Sequence, residues 1–137
     1  MFTKILIANR GEAAIRIIRA CKELGITSVV IHTEAEKDSL SARLADENHL
    51  LKNNGSPNPY LDMHQIIAIA KKNNADALHP GYGFLSENAD FAHLCEENDI
   101  KFIGPSSKVL KKVGDKIEAK QLVSEMGIPT VPGIHSP

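Results

Sequence analysis

Short runs of consecutive apolar residues alternate along this chain with longer segments in which apolar residues recur every three or four positions. An uninterrupted apolar run is typical of a parallel strand that is covered on both faces of its sheet. Apolar residues at spacings of three and four are typical of an amphipathic helix that buries one side. The runs predict strands at residues 4–8, 28–32, 49–52, 76–79 and 101–103.

A helix is predicted between each pair of successive strands. Residues 13–24 show the clearest helical spacing, and Gly25 ends that helix because glycine readily adopts the left-handed conformation found there. Asp62 and Gln65 resemble a capping box for a helix that ends near Asn73. The other helices are predicted at residues 38–46 and after a cap at Ser86 or Asn88, with Phe91, Ala92, Leu94 and Cys95 on the buried side.

The alternation of strand and helix predicts an α/β fold, a doubly wound parallel sheet with right-handed crossovers. In such a sheet, ligands bind outside the carboxyl ends of the strands. The loops predicted at that end are residues 9–12, 33–38, 79–88 and 104–107.

The pattern changes after Gly104. A short helix is predicted to begin after position 105 and to be broken by Gly114. A capping box at residues 115–118 then begins a second helix, which Gly127 ends. We therefore divide the chain into an α/β domain at residues 1–104 and a helical connection at residues 105–137.

Composition narrows the class of protein. Of the 137 residues, 42% are hydrophobic and 24% charged, as expected for one soluble globular domain. The net charge of -1 provides no field that would attract nucleic acid or an anionic membrane, and no apolar run approaches the ~18 residues that cross a bilayer. The two cysteines lack CxxC spacing, which is typical of buried thiols in a reducing compartment. We expect a cytoplasmic protein that binds neither nucleic acid nor membranes.

The first motif, Asn-Arg-Gly-Glu at residues 9–12, lies between a predicted strand and a helix start. Backbone N–H groups at a helix start can bind an anion, and Gly11 permits a close approach. A single glycine is not the G-x-G-x-x-G pattern of dinucleotide sites, so the other interpretation is a tight turn with a helix cap. For the same reason, Glu34 and Glu36 are interpreted as part of a solvated loop rather than as ribose ligands.

The second motif, HPGYGFLSEN at residues 79–88, follows a predicted strand. Gly83 lacks a Cβ and can bring its N–H to a ligand carbonyl, while Tyr82 offers a flat apolar face. This combination predicts a site for a neutral, planar ligand. The alternative is a glycine-rich turn in which Tyr82 plugs the edge of the sheet.

Five segments of the chain resemble, in sequence and order, the amino-terminal part of the biotin carboxylase family. They are KILIANRGE at 4–12, residues 16–25, HPGYGFLSEN at 79–88, FIGPS at 102–106, and GDK at 114–116 with residues 129–133. The resemblance implies a Rossmann-like domain that precedes an ATP-grasp fold, so residues 105–137 would lead into an ATP-grasp domain that this sequence does not include. Members of this family use ATP and bicarbonate to carboxylate N1 of biotin on a carrier protein.

The resemblance also implies roles for individual residues. Tyr82 and Gly83 would line the biotin site, and Lys116 would reach the nucleotide from the start of the connecting helix. Without the resemblance, Lys116 is a solvated lysine. The residues implied on a dimer face, otherwise the polar side of an amphipathic helix, are Arg16, Arg19 and Glu23.

The cofactors that the resemblance implies are ATP, Mg²⁺ and biotin. The implied partners are a biotin carboxyl carrier protein or domain, a carboxyltransferase component, and a second copy of the enzyme in a homodimer. In this family the catalytic residues and the Mg²⁺ ligands follow position 137, and the six histidines here lack metal-ligand spacing, so we expect no metal ligand and no turnover from this chain alone. Two alternatives stay open, another ATP-grasp ligase of purine or carbamoyl phosphate metabolism and a stand-alone nucleotide-binding module.

Overall fold

The computed structural model describes residues 1–125. Predictions that concern residues 126–137, namely the helix end at Gly127 and the motif at 129–133, lie outside the described residues. Residues 1–125 form a five-stranded sheet flanked by helices, none of which is long and apolar enough to cross a membrane.

The strands are β1 Lys4–Ile7, β2 Thr27–His32, β3 Glu47–Leu50, β4 Ala77–His79 and β5 Lys101–Phe102. All neighbouring strands are parallel, in the order β3-β2-β1-β4-β5. The central strand β1 pairs with β2 on one side and β4 on the other, and its Ile5, Leu6 and Ile7 are buried. The uninterrupted apolar runs therefore predicted the parallel sheet correctly.

Helices cover both faces of the sheet. They are α1 Gly11–Leu24, α2 Leu40–Leu44, α3 Met63–Lys72, α4 Ala89–Glu97 and α5 Ser107–Glu125, with 3₁₀ turns at Glu34–Glu36 and Pro59–Leu61. On one face, α1 packs through Ala14, Ile18 and Cys21 against Ile5 and Val30. On the opposite face, α3 and α4 contribute Ile66, Ile67, Ala70, Phe91, Ala92 and Cys95 to the core. The predicted doubly wound α/β fold is confirmed.

Residues outside the helices determine where most of them begin and end. Gly25 ends α1 with φ 71°, and Asn88 rather than Ser86 caps α4 by accepting the Phe91 N–H at 2.9 Å. The Asp62 side chain accepts the Gln65 N–H at 3.2 Å, as in a capping box. The Gln65 side-chain oxygen, however, accepts the Lys52 N–H at 2.6 Å instead of the Asp62 N–H, which donates to the Pro59 carbonyl.

The edge of the sheet departs from the predicted bounds. Strand β3 occupies Glu47–Leu50 rather than residues 49–52 because its polar side chains find partners of their own. The Lys4 ammonium lies 2.7 Å from the Glu47 carboxylate, and the Asn48 amide donates to the Ala42 carbonyl at 3.2 Å. The helix predicted at residues 38–46 is shorter in the structure, where α2 spans Leu40–Leu44.

The predicted break at Gly114 is wrong, because α5 continues through it as one helix. Glycine inside a helix costs about 1 kcal/mol relative to alanine, which is not enough to end a helix whose neighbouring residues favour it. The helix is anchored at its first turn, where the Ser107 hydroxyl donates to the Glu96 carboxylate at 2.6 Å. Lys116 therefore lies in the middle of a continuous helix, not at the start of a second one.

The thiols of Cys95 and Cys21 are buried, one in each core cluster, and we expect both to react slowly with alkylating reagents. Burial raises the pKa of Cys95 to about 12 and also raises the pKa of Cys21, and the thiolate is the reactive species. We expect iodoacetamide at about pH 8.5 to label Cys95 of the native chain on the order of a thousandfold more slowly than in the unfolded chain. Pulse labelling followed by mass spectrometry checks this, and equal rates in guanidinium and in buffer would contradict the described core.

Candidate functional site

The order of the strands creates a cleft where β1 lies beside β4. The chain leaves β1 through α1 on one face of the sheet and leaves β4 towards α4 on the other, so the loops after these neighbouring strands diverge. Divergence of this kind marks the usual ligand position in a doubly wound sheet. The cleft has a volume of about 350 Å³, and its lining residues are Asn9, Arg10, Gly11, Glu12, Ala13, Tyr82, Gly83 and Phe84. The structure thus brings together the two motifs that the sequence singled out.

Asn9 joins the two loops. Its side chain is 4% exposed, and its Nδ2 donates to the carbonyl oxygens of Pro80 and Tyr82, both at 2.8 Å. Its Oδ1 accepts the Arg10 N–H at 2.8 Å. Sequence analysis did not assign Asn9 this role, although a polar residue directly after a buried apolar strand is a signal that could have found it.

Two further residues fix the inner side of the second loop. Gly81 has φ +67°, and a Cβ at this position would lie 2.5 Å from the Asn9 Nδ2. The Gly81 N–H donates to the His79 Nδ1 at 3.0 Å. Only a neutral imidazole with its proton on Nε2 can accept this bond. Burial lowers the pKa of His79, which favours that neutral form.

The outer part of the loop presents Tyr82 and Gly83 to the surface. Tyr82 is 70% exposed, so it does not plug the edge of the sheet, and that part of the alternative is wrong. Gly83 has φ +71°, and a Cβ there would meet no atom within 4 Å. Tyr82 also borders a second groove of about 420 Å³, which it shares with Val109, Val113 and Ile117 of α5.

Arg10 does not direct a free charge into the cleft. Its Nε and Nη2 donate to both carboxylate oxygens of Glu36 at 2.8 to 3.0 Å. The hydrogen bond from Arg10 lowers the pKa of Glu36, so this carboxylate stays ionised. Glu36 is therefore paired rather than solvated, which corrects the loop interpretation. Gly11 has φ +60°, so the predicted turn is present, whereas Arg10 at the N-cap of α1 makes no side-chain capping hydrogen bond.

The other residues named from the sequence do not line the cleft. Lys116 is exposed on α5 and does not line either cavity described above. Arg16, Arg19 and Glu23 are exposed on α1, and their spacing of three and four positions places them on one side of that helix. The Glu12 carboxylate lies 3.4 Å from the Arg16 Nε on the same side of α1.

The two loop glycines give a matched pair of stability predictions. We expect Gly83→Ala to cost about 1 kcal/mol through left-handed strain alone. Gly81→Ala should cost about 3 kcal/mol or more, because displacement of Asn9 also removes the donor from the buried Pro80 carbonyl and the partly buried Tyr82 carbonyl. Urea unfolding of the two variants checks the difference, and equal midpoints would show that Asn9 does not hold the loop.

The hydrogen bond of His79 predicts a pH dependence. A lowered pKa in the folded state means that His79 stabilises the fold above its ordinary pKa of 6.5, and that this stability is lost as pH falls through the lowered value. His79→Asn keeps an acceptor near the position of Nδ1 without the titration. Between about pH 7.5 and 5.5, we expect the melting temperature of wild type to fall more than that of His79→Asn. A parallel fall in both proteins would assign the loss to other histidines.

Comparisons with known proteins identify the family of this chain. Residues 1–110 match the family model described as "Biotin carboxylase, N-terminal domain". Biotin carboxylase 1 of Bacillus subtilis is 50% identical over 133 residues, which are 97% of this chain and 30% of that protein. Human mitochondrial pyruvate carboxylase is 49% identical over 135 residues, which are 98% of this chain and 12% of that protein.

A solved structure shows the same fold. The biotin carboxylase domain dimer of Hydrogenobacter thermophilus 2-oxoglutarate carboxylase, in complex with MgADP, ADP and bicarbonate, has a TM-score of 0.83 at 49% identity. The match covers 96% of this chain and 29% of that chain. This chain thus spans 30% or less of the length of each relative. Sequence, fold and the matched region agree, and this chain belongs to the family of biotin carboxylase N-terminal domains.

Proposed function

We propose that this chain forms the amino-terminal wall of a biotin site, in an enzyme that uses ATP and bicarbonate to carboxylate biotin on a carrier protein. The observation that carries the proposal is the exposed Tyr82 ring beside Gly83, at the cleft between β1 and β4. The relatives named above are carboxylases. That favours this function over another ATP-grasp ligase or a stand-alone nucleotide-binding module.

The chemistry of the loop suits the ureido ring of biotin, which is planar, neutral and carries a carbonyl acceptor. Tyr82 offers the ring an apolar face. Within residues 1–125 the Gly83 N–H donates to no protein oxygen, and the open space around Gly83 admits a ligand carbonyl. When bound, ATP supplies the energy that activates bicarbonate. The role of this chain is to orient the ring that receives the carboxyl group.

Lys116 is proposed as a nucleotide ligand. Its exposed ammonium on α5 is a point charge that pairs well with phosphate oxygens. Among the side chains that the structure describes, no three of His, Cys, Asp or Glu are grouped so that they could hold a metal. By resemblance to the family, Mg²⁺ binding is proposed for the rest of the enzyme. We keep residues 105–137 as the proposed connection to an ATP-grasp domain.

Partners are proposed on the same basis. Arg16, Arg19 and Glu23 present complementary charges on one side of α1, which suits a homodimer contact in the complete enzyme. A biotin carboxyl carrier and a carboxyltransferase component complete the proposed assembly. The relatives act in pyruvate and 2-oxoglutarate carboxylases, so the final carboxyl acceptor is not assigned. The buried thiols support a cytoplasmic location, which stays a prediction.

Two exposed residues allow the sites to be tested separately in the full-length carboxylase. We expect Tyr82→Ala to raise the KM for biotin about tenfold and to leave the KM for ATP unchanged. Lys116→Ala should raise the KM for ATP about tenfold or more and leave the KM for biotin unchanged, because one charge-assisted contact to phosphate is lost. Steady-state kinetics with each substrate varied in turn measure both constants.

Each variant is the control for the other. Neither side chain is part of the core, so both variants should have the melting temperature of the wild-type protein. If Tyr82→Ala leaves the KM for biotin unchanged, this loop does not bind biotin. Unchanged ATP kinetics in Lys116→Ala would return that residue to the class of solvated lysines.

A further inference from the structure

Phe84, the residue after Gly83, has an unusual backbone conformation. Its φ is +45°, in the left-handed region that bulky side chains rarely adopt. Such a conformation persists only when surrounding contacts hold it, and conformations of this kind cluster at functional sites. The contacts that hold Phe84 therefore also determine where Gly83 lies.

The ring of Phe84 is held by Tyr60. The two rings are stacked, with centroids 5.3 Å apart and an interplanar angle of 24°. Tyr60 belongs to the 3₁₀ turn before α3 and is 4% exposed. The Asn58 side chain accepts the Tyr60 N–H at 3.1 Å, which fixes the turn that carries the ring. Phe84 thus rests on a buried side chain.

The other end of Tyr60 is tied to the first motif. Its hydroxyl donates to the Glu36 carboxylate at 3.1 Å, and Arg10 holds that carboxylate with two nitrogens. Burial, reinforced by the charge of Glu36, raises the pKa of Tyr60 to about 12, so the hydroxyl remains a donor at neutral pH. Arg10 adjoins Asn9, which binds the inner side of the Tyr82 loop. The contacts therefore form a closed ring around the cleft.

From this ring of contacts we propose that Tyr60 is a positioning residue for the Tyr82–Gly83 wall. It stacks on Phe84 and keeps that residue in its left-handed conformation, and Glu36 fixes the angle of the Tyr60 ring. Tyr60 does not line the cleft itself, so it acts through Phe84. The inference depends on the proposed function for the identity of the ligand. The role of Tyr60 in holding the loop does not depend on it.

The test compares three variants. Tyr60→Leu removes the stacking, and Tyr60→Phe keeps the ring but loses the bond to Glu36. The control, Ile67→Ala, removes core volume from α3 in the same cluster and leaves the Tyr60–Phe84 pair intact. The first readout, on this chain, is hydrogen exchange of the Ser86 amide, which donates to the Gly83 carbonyl at 2.9 Å. The second readout, in the full-length carboxylase, is the KM for biotin against the KM for ATP.

We expect Tyr60→Leu to accelerate exchange of the Ser86 amide and to raise the KM for biotin about 2- to 10-fold, the range that loss of an aromatic pair implies, with the KM for ATP unchanged. Tyr60→Phe should stay closer to wild type in both readouts. Ile67→Ala should lower the melting temperature without changing the ratio of the two KM values.

Two results would overturn the inference. One is unchanged Ser86 exchange in Tyr60→Leu, and the other is a biotin KM that moves no more than it does in Ile67→Ala. Failure of the proposed function has a different signature, because Tyr82→Ala would then leave the biotin KM unchanged. In that case the Ser86 exchange alone decides whether Tyr60 positions the loop.

Discussion

The carboxamide of Asn9 determines the shape of the candidate site. It is buried at the end of the central strand, where an unpaired polar group costs about 1–3 kcal/mol. Its oxygen accepts the Arg10 N–H, and its nitrogen donates to the backbone of the loop after β4. The close approach leaves no room for a Cβ at Gly81, and the resulting turn directs Tyr82 away from the sheet. One side chain in one loop thus dictates the backbone of the other.

Much of the fold could be predicted from the sequence because the central strands are covered on both faces. A run of consecutive apolar residues such as Ile5 to Ile7 is typical of a strand that is buried on both faces. Glycine or asparagine at a helix end is a local signal for the end of that helix. The edge strand β3 was predicted less well, since its polar residues gain stability from Lys4 and Ala42, which local patterning does not report. Gly114 shows the opposite error, in which a local signal was overvalued against the continuity of a helix.

The candidate site was predicted only in parts. Residues 9–12 and 79–88 were each recognisable, but their meeting depends on β1 lying beside β4, and hydrophobic patterning does not supply strand order. The contact of Glu36 with Tyr60 joins positions that are far apart in sequence and could not be inferred from spacing. Lys116 and the charged side of α1 differ again, because their roles depend on a nucleotide and on a second copy rather than on contacts within the chain.

Both tyrosines of the sequence, which has no tryptophan, lie at the cleft or directly behind it: Tyr82 lines the cleft, and Tyr60 stacks on Phe84, which also lines it. Tyr60 is buried with its hydroxyl on a carboxylate, whereas Tyr82 stands in solvent at the mouth of the cleft. The tyrosine emission of the chain is therefore a report on the cleft and on the contacts directly behind it. Tyr82 is thus an intrinsic fluorophore at the place where a ligand is proposed to bind.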